Sequence, residues 1–385
     1  MKKRNTIFLA FMLLFFTGCG GGGSGTTAYV ASSIPCTLPD IDKNNLPPLP
    51  AASDFSANPL YSQQWAIHYD QNFYGQYRIF DDASIHMDGD QRFIGRSVKV
   101  AVIDDALDIY HEDLQGTIVQ TYDVSTNSSD VLPSDGTQNH GMEVSGVIAA
   151  RDNSLGLVGV APEVELYFIK MPFSNTVSIS EIVEAFAKAK EWGVDVVNCS
   201  WGSGDVSETV KAAIVDLARN GRGGKGTVIV FAAGNGGDDA VGDPIGNDES
   251  SIPEVIAVGA TNIYNQRTEY SNYGPELDLM APGGERLGIT TTDRTGVEGD
   301  DPGNYVEYNS SSAFRGTSAA APIVTGVAAR LLEANPNLSR TDVMSVLKCS
   351  ADKIDASGCG YDQNGFSQFC GYGKVNVNAA LSLVR

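Results

Sequence analysis

Positive charge is scarce in this sequence. The 385 residues include 26 Lys and Arg against 47 Asp and Glu, which gives a formal net charge of −21 at pH 7. Binding to a nucleic-acid backbone requires clustered Lys and Arg, so the composition argues against a nucleic-acid partner. The acidic balance permits attraction of cationic substrates, although solubility alone also accounts for it.

Long apolar runs are also missing. The apolar stretch at 7–16 follows a basic stretch at 2–4 and is shorter than the roughly 20 residues that span a bilayer. This arrangement predicts a signal peptide over 1–19. Its end, Phe-Thr-Gly-Cys at 16–19, resembles the lipobox of bacterial lipoproteins. The resemblance implies a protein of the bacterial cell envelope, at the outer membrane or cell surface, anchored outside the cytoplasm through lipidated Cys19. An ordinary signal peptide is the alternative.

Cysteine is the third scarce feature, with six in the chain. If Cys19 carries lipid, an odd number remains for the body: Cys36, Cys199, Cys349, Cys359 and Cys370. An exported compartment permits disulfides, but the sequence alone does not fix the pairing. Cys359 and Cys370 bracket a polar loop and are the first candidate pair, whereas Cys349 could compete for one of them or pair with Cys36. Cys199 lies in an apolar strand pattern and is expected to be a free buried thiol.

The composition changes near residue 54. Residues 20–53 are rich in Gly, Ser, Thr and Pro, which is typical of a flexible tether. The ordered body is therefore expected over 54–385, as a single domain without internal repeats.

From residue 98 onward, apolar strand patterns alternate with helical ones. Strands are expected at 98–103, 165–171, 195–199, 226–233, 255–260 and 277–280, and helices after 140 and at 178–192, 207–220, 318–334 and 339–349. Ser178 and Glu181 have the spacing of a capping box. The alternation predicts an α/β fold with a mostly parallel central sheet flanked by helices. Active sites of such folds collect at the carboxyl ends of strands, where Asp104, Ser200 and Asn235 lie.

One stretch, GTSAAAP at 316–322, ends a Gly- and Ser-rich region and opens an apolar helical run. Ser318 would lie at a helix N-terminus, where free N–H groups and the helix dipole stabilise a nucleophilic oxygen and the oxyanion that it generates. Taken alone, an N-cap is the commoner use of such a serine.

Three separate stretches supply a carboxylate, an imidazole and a hydroxyl. Asp104 ends a buried strand, His140 stands in NHGMEVSG at 139–146, and Ser318 follows much later. A serine hydroxyl is a weak nucleophile that needs an imidazole to take its proton and a carboxylate to orient that imidazole. The chain order Asp, His, Ser is one of the orders in which such a triad is known to occur.

Four stretches then resemble, in order, the motifs of the subtilisin family of serine proteases. They are VAVIDD at 100–105, NHGMEVSGVIAA at 139–150, VIVFAAGNGG at 228–237 and GTSAAAP at 316–322. The resemblance covers about 58–382 and implies a three-layer subtilisin-like fold, with 54–385 as the peptidase catalytic domain. It implies serine endopeptidase activity on peptide or protein substrates, with Asp104, His140 and Ser318 as the triad and Asn235 as the oxyanion donor.

A closer resemblance is to the kexin/furin branch, carried by Asp-Asp at 104–105, Cys-Ser-Trp-Gly at 199–202 and Gly-Asn-Gly-Gly at 234–237. It implies a substrate groove lined by Ser200, Trp201 and Gly202, and a basic P1 side chain bound by Asp205. Asp243 and Asp248 are candidates for a second acid. Asp205 could instead be a surface acid of a protease with broad or apolar P1 preference, and an inactive surface-anchored binding protein is a further alternative.

The chain also departs from the branch. Met142 stands where the family usually has Thr. We expect the β-rich domain that follows the catalytic one in the branch to be absent. About 35 residues separate Cys19 from the body, which is short for the propeptide that assists folding in the family. We therefore expect folding to depend on a separate chaperone or on the tether.

Calcium is a further implication of the resemblance. The family's tight site corresponds here to Asp113, Asn153 and the backbone carbonyls of Leu155 and Leu157. This mixture of carboxylate, amide and carbonyl oxygens suits a structural Ca²⁺. Asn58 replaces an Asp of the branch, which should weaken the site. Turn or capping roles are the alternative for Asp113 and Asn153.

Overall fold

Seven strands build one parallel sheet at the centre of the molecule. The computed structural model describes residues 36–171, 173, 177–236, 242–296 and 298–385. In sheet order the strands are β2 (Ile118–Asp123), β3 (Glu165–Lys170), β1 (Lys99–Asp104), β4 (Val196–Cys199), β5 (Val228–Ala232), β6 (Ile256–Thr261) and β7 (Leu279–Pro282). Every neighbouring pair is parallel, which confirms the predicted α/β fold.

The order of the strands reverses beside β1. The chain passes from β1 to β2 and β3 on one side, then crosses over β1 to β4 and continues outward on the other side. In open parallel sheets, the crevice beyond the carboxyl ends at such a reversal is where ligands bind. Asp104 ends β1 and Ser200 follows β4, so both residues lie at this crevice.

Helices cover both faces of the sheet, which gives the three-layer arrangement that the sequence predicts. In the described part of the chain they are α1 (Gln71–Tyr77), α2 (His140–Ala149), α3 (Ile179–Trp192), α4 (Glu208–Asn220), α5 (Thr317–Ala334), α6 (Arg340–Cys349), α7 (Ala356–Cys359) and α8 (Val377–Val384). Val100 and Val102 of β1 pack into the core shared with α2 and α5. Ala101 and Ile103, which point the other way because successive strand residues alternate, pack into the core shared with α3 and α4.

The predicted helix signals are present at α3. The Ser178 hydroxyl accepts the backbone N–H of Glu181, and the Glu181 carboxylate accepts the backbone N–H of Ser178 at 2.8 Å. Gly193 ends the helix with φ of 63°, a left-handed conformation that glycine adopts without steric cost. The capping box and the stop residue therefore fix both ends of α3.

Two β features were not predicted. Strand β2 lies at the edge of the sheet, and its exposed Val119 and Gln120 interrupt the apolar pattern that marks a buried strand. The antiparallel pair β8 (Thr291–Thr292) and β9 (Tyr305–Val306) has strands too short to produce a period-two signal.

Residues 36–53 lie against the body. Cys36 forms a disulfide with Cys349 of α6, the Asn335 side chain donates to Asp42 O at 2.8 Å, and Lys43 Nζ donates to Arg385 O at 2.9 Å. The prediction of a flexible tether over 20–53 is therefore wrong for residues 36–53, because a covalent link and these hydrogen bonds fix a segment whose composition is typical of a linker. The predicted signal peptide at 1–19 and the rest of the tether lie outside the described residues.

The first candidate cysteine pair is confirmed. Cys359 and Cys370 form a disulfide, Cys349 is used by Cys36, and Cys199 is a buried free thiol. Among the described residues, no helix is both long and apolar enough to cross a membrane.

Candidate active site

The fold brings the three predicted catalytic side chains to the carboxyl edge of the sheet. Asp104 is the last residue of β1, His140 is the first residue of α2, and Ser318 is the second residue of α5. Each position follows from a local sequence signal, because His140 and Ser318 lie at the starts of helices and Asp104 ends a strand. The Phe314 ring stands edge-on to the His140 ring, with centroids 5.6 Å apart, so the segment leading into α5 contacts the imidazole.

Asp104 and His140 form a hydrogen-bonded pair. Asp104 Oδ1 lies 2.8 Å from His140 Nδ1 and also accepts the backbone N–H of Asp105. Asp104 is fully buried, and its Oδ2 has no hydrogen-bond partner among the described residues. Burial disfavours the charged imidazolium, but the Asp104 charge and hydrogen bond outweigh that effect and raise the pKa of His140 above its usual value. The pair therefore favours Nε2 as the nitrogen that accepts a proton.

Asp105 has a role that the sequence analysis did not assign. Its carboxylate accepts the N–H of Gly141 at 2.7 Å and of His140 at 3.2 Å, so it caps the N-terminus of α2. Burial and the neighbouring Asp104 charge raise the pKa of Asp105 to about 6. The sequence signal that could have indicated this role is an acidic residue directly after Asp104, at the end of a strand that faces a helix.

Glu143 is a second unassigned acid beside His140. It lies one turn further along α2 and is buried. Burial raises its pKa well above the usual value, and the charges of Asp300 and Asp293 add to that effect. Met142, which stands where the family usually has Thr, is itself buried, and its backbone carbonyl accepts from the Thr292 hydroxyl at 2.8 Å.

The Ser318 hydroxyl donates to the backbone carbonyl of Ser200 at 2.9 Å. The sequence analysis expects a hydrogen bond between this nucleophile and its base, His140. The described part of the chain does not contain that hydrogen bond. The two residues lie at the same sheet edge, at the starts of α5 and α2. Hydrogen bonds of this kind are often absent without substrate and form in the complex.

Asn235 follows β5 and faces the start of α5. Its Oδ1 accepts the backbone N–H of Thr317 at 2.8 Å and the Thr317 hydroxyl at 3.0 Å. In this orientation the oxygen of the amide faces Thr317, and the Nδ2 group is its donor end. Gly316 has φ of 116°, and a Cβ there would lie 3.3 Å from Asn235 Nδ2, so glycine keeps this approach open.

Ser200, Trp201 and Gly202, the segment predicted to line the substrate groove, directly follow β4 (Val196–Cys199). Trp201 Nε1 donates to Ile103 O at 2.8 Å, which ties the segment to β1. Its ring packs edge-on against Phe231, with centroids 5.3 Å apart. Gly202 is exposed, and Ser200 is buried beneath it.

Asp205 is exposed and accepts a hydrogen bond from the Asn247 side chain at 2.7 Å. This differs from the buried carboxylate that the resemblance implies for a basic P1 pocket. A Cβ built on Gly202 would lie 3.5 Å from Asp248 Oδ2, so Asp248 is the acid beside the groove segment. Glu249, which is fully buried, accepts from the Ser203 backbone and hydroxyl at 2.9 and 2.6 Å.

The predicted calcium residues meet in one place. Leu157 N donates to Asp113 Oδ2 at 3.1 Å, and Leu155 N donates to Asn153 Oδ1 at 2.8 Å. Asn58 joins them, because its Oδ1 accepts the backbone N–H of Ser154 at 3.1 Å. Asp113 Oδ1 is buried without a hydrogen-bond partner in the described structure, an arrangement that fits a bound cation. The described residues contain no cluster of three or more His, Cys, Asp or Glu side chains that could hold a metal, so backbone and amide oxygens would complete the site.

Comparison with known proteins gives consistent matches. The model of the Subtilase family matches residues 95–373. The chain is 35% identical over 317 residues to the calcium-dependent protease of Trichormus variabilis, which covers 75% of this chain and 46% of that protein. It is 34% identical over 291 residues to the subtilisin of Bacillus pumilus, which covers 75% of this chain and 93% of that protein.

Solved structures agree with these matches. The Aeromonas sobria serine protease, in its complex with the chaperone ORF2, has a TM-score of 0.73 at 26% identity and covers 85% of this chain and 67% of that one. The chain spans about half the length of the two calcium-dependent proteases that it matches, 46% and 52%.

Proposed function

The chain belongs to the subtilase family, and on that premise we propose that it is a serine endopeptidase that hydrolyses peptide bonds in peptide or protein substrates. The observation that carries the proposal is the 2.8 Å hydrogen bond between Asp104 Oδ1 and His140 Nδ1, at the sheet edge where α5 presents Ser318. A carboxylate bound to Nδ1 holds the imidazole in the form whose Nε2 accepts a proton.

The reaction has two halves. Ser318 Oγ turns from Ser200 O, loses its proton to His140 Nε2 and bonds to the scissile carbonyl carbon. The imidazolium, stabilised by Asp104, then gives that proton to the amine nitrogen as the C–N bond breaks, which leaves an ester on Ser318. His140 next takes a proton from water, the resulting hydroxide attacks the ester, and the proton returns to Ser318 as the acid product leaves.

Asn235 would stabilise the oxyanion. Its Oδ1 is held by Thr317, so its Nδ2 group can donate to the negative oxygen together with the backbone N–H of Ser318. The start of α5 adds the positive end of the helix dipole at the same point.

Labelling with an active-site-directed phosphonate tests the activity. We expect the wild-type protein to be labelled and to cleave peptides, and Ser318→Ala to do neither while keeping its melting temperature. Absence of labelling and cleavage in the folded wild-type protein would instead favour a binding protein on a protease fold.

We propose that Arg or Lys is preferred at P1. What supports this is the position of Asp248 beside Gly202, and the hydrogen bond that joins Asp205 to Asn247, the residue before Asp248. A carboxylate gives a basic side chain a charge-assisted contact. Cleavage of a peptide library by wild type, Asp205→Asn and Asp248→Asn tests it. We expect basic P1 residues to be enriched by wild type and less so by Asp248→Asn. A library without such enrichment would favour the broad or apolar alternative.

We further propose that Asp113, Asn153 and the carbonyls of Leu155 and Leu157 hold a structural Ca²⁺. The unpartnered Asp113 Oδ1 supports this, and two relatives are named calcium-dependent proteases. At a hundredfold excess over Kd, a ligand that binds only the folded state adds about 2.7 kcal/mol to the free energy of unfolding. We expect Ca²⁺ but not Mg²⁺ to raise the melting temperature, and Asp113→Asn to abolish the increase. An equal increase in Asp113→Asn would contradict the site.

Two proposals concern the setting of the protein. Lipidation of Cys19 would anchor it in the cell envelope, and incorporation of labelled fatty acid that is lost in Cys19→Ser would test this.

A separate folding chaperone is suggested by the Aeromonas sobria complex. Full recovery of activity after refolding of the chain alone would remove the need for it.

A further inference from the structure

The carbonyl of Ser318 lacks its usual helical partner. In an α-helix, the carbonyl of one residue accepts the N–H of the residue four positions later, and that residue here is Pro322, which has no N–H. A buried carbonyl without a donor costs free energy. The Ser200 hydroxyl supplies the donor, at 3.0 Å from Ser318 O.

The Ser200 hydroxyl is itself oriented by Asn198. Both residues point to the same side of the β4 segment because they are two positions apart. Asn198 Nδ2 donates to Ser200 Oγ at 2.9 Å, so the hydroxyl proton of Ser200 is directed to Ser318 O. Asn198 is fully buried, and Ser200 is 3% exposed, so water does not readily replace either contact.

The orientation of the Asn198 amide is in turn fixed by Thr325. Thr325 lies about two turns after Ser318 on α5, so both side chains lie on the face that meets β4. Its hydroxyl donates to Asn198 Oδ1 at 2.8 Å, and Thr325 is fully buried. The amide oxygen is thereby occupied, and the amide nitrogen is turned toward Ser200.

We propose that Thr325, Asn198 and Ser200 form a buried relay of positioning residues that fixes Ser318 for acylation. The relay reaches Ser318 at its backbone, because Ser200 Oγ donates to the Ser318 carbonyl. The hydrogen bond from the Ser318 hydroxyl to the Ser200 carbonyl, at 2.9 Å, is the contact that breaks when Oγ turns to His140. The proposal rests on the role of Ser318 as nucleophile. Small displacements of a reacting atom are costly to rate. The Thr325–Asn198 and Asn198–Ser200 hydrogen bonds are buried, where such contacts are strong, and the Ser200–Ser318 hydrogen bond is partly buried.

Thr325→Val is the decisive variant, because it removes the hydroxyl and keeps the branched shape. Without its donor, Asn198 Oδ1 is an unsatisfied buried acceptor, and the amide loses the contact that sets its orientation. We expect kcat and the rate of phosphonate acylation to fall about tenfold, the effect of one buried hydrogen bond, with KM unchanged. Thr325→Ser, which restores the hydroxyl, should recover most of both rates.

Thr227→Val is the matched control. Thr227 is also fully buried, and its hydroxyl also donates one hydrogen bond, to Val194 O at 3.0 Å, away from the sheet edge that carries Ser318. We expect it to lower stability as Thr325→Val does, but to leave kcat and the acylation rate unchanged. Equal rates in Thr325→Val and wild type, or equal losses in the two valine variants, would overturn the relay.

A double-mutant cycle covers the case in which Thr325→Val fails to fold. In that case the cycle consists of Asn198→Ser, Ser200→Ala and the double variant. The losses in acylation rate should be less than additive, because both substitutions interrupt the same relay. Additive losses would overturn the proposal. Ser318→Ala separates this question from the proposed function: if that variant still cleaves, the nucleophile is wrong, whereas a failed relay leaves its loss of activity intact.

Discussion

The serine side and the histidine side of the candidate site are held in different ways. Ser318 is fixed by neutral hydrogen bonds, from its hydroxyl to Ser200 O and from Ser200 Oγ to its carbonyl. His140 is surrounded instead by acids, of which Asp104 is bound directly and Asp105 and Glu143 lie close by. The backbone that carries the nucleophile is thus held by a contact that does not titrate, and the group that must gain and lose a proton is held by charge.

Asp104→Asn should cause the largest loss of activity of the variants that change the surroundings of His140. The amide cannot stabilise the imidazolium and can hold the wrong tautomer, so we expect kcat to fall on the order of 10⁴-fold. Asp104 raises the pKa of His140, and the base is active only when neutral, so wild-type activity should rise with pH above the usual histidine range. In the variant, this limb of the kcat/KM profile should move to lower pH.

Asp105→Asn is the charge-matched control for that experiment. It also removes a negative charge near His140 but retains an oxygen that can cap α2 and leaves the Nδ1 partner in place. Its loss in kcat should be much smaller than that of Asp104→Asn. Similar losses in the two variants would mean that total charge, rather than the specific pair, sets the behaviour of His140.

Asn235→Ala tests the part of the site around Ser318. Because neutral hydrogen bonds hold that part, the loss of activity should not depend on pH. Removal of one oxyanion donor should lower kcat about 10²–10³-fold with little change in KM. Thr317→Val is the control, because it breaks the 3.0 Å hydroxyl contact with Asn235 but keeps the amide. A shift of the pH profile in Asn235→Ala would show that the two sides are not independent.

Local sequence signals indicated those candidate site residues that lie at the ends of strands and helices. Asp104 ends an apolar strand and Ser318 starts an apolar helix, so each is visible without knowledge of the tertiary structure. The helix beginning at His140 was likewise visible in its own stretch. The conjunction of these stretches, rather than any one of them, predicted the fold and named the residues of the candidate site, whose catalytic role stays a prediction.

The relay behind Ser318 could not be predicted in this way. Thr325 and Asn198 are separated by 127 positions and meet only because α5 packs on the sheet beside β4. A buried Thr in a helix and a buried Asn in a strand have no sequence pattern that distinguishes a paired from an unpaired group. The packing of 36–53 was missed for a related reason, since a disulfide with distant Cys349 outweighs local composition.

Glu143→Gln should produce the smallest effect and concerns stability. Burial raises the pKa of Glu143 in the folded state, so the folded protein binds a proton that the unfolded chain releases, and stability falls as pH rises from the unfolded pKa through the folded one. Gln keeps the shape without the ionisable group, so the fall should flatten, with a gain of about 1 kcal/mol in the free energy of unfolding at neutral pH. Denaturant unfolding at several pH values measures it, with the exposed Glu163→Gln as control. An unchanged pH dependence in Glu143→Gln would show that the charge of this acid is already compensated beside His140.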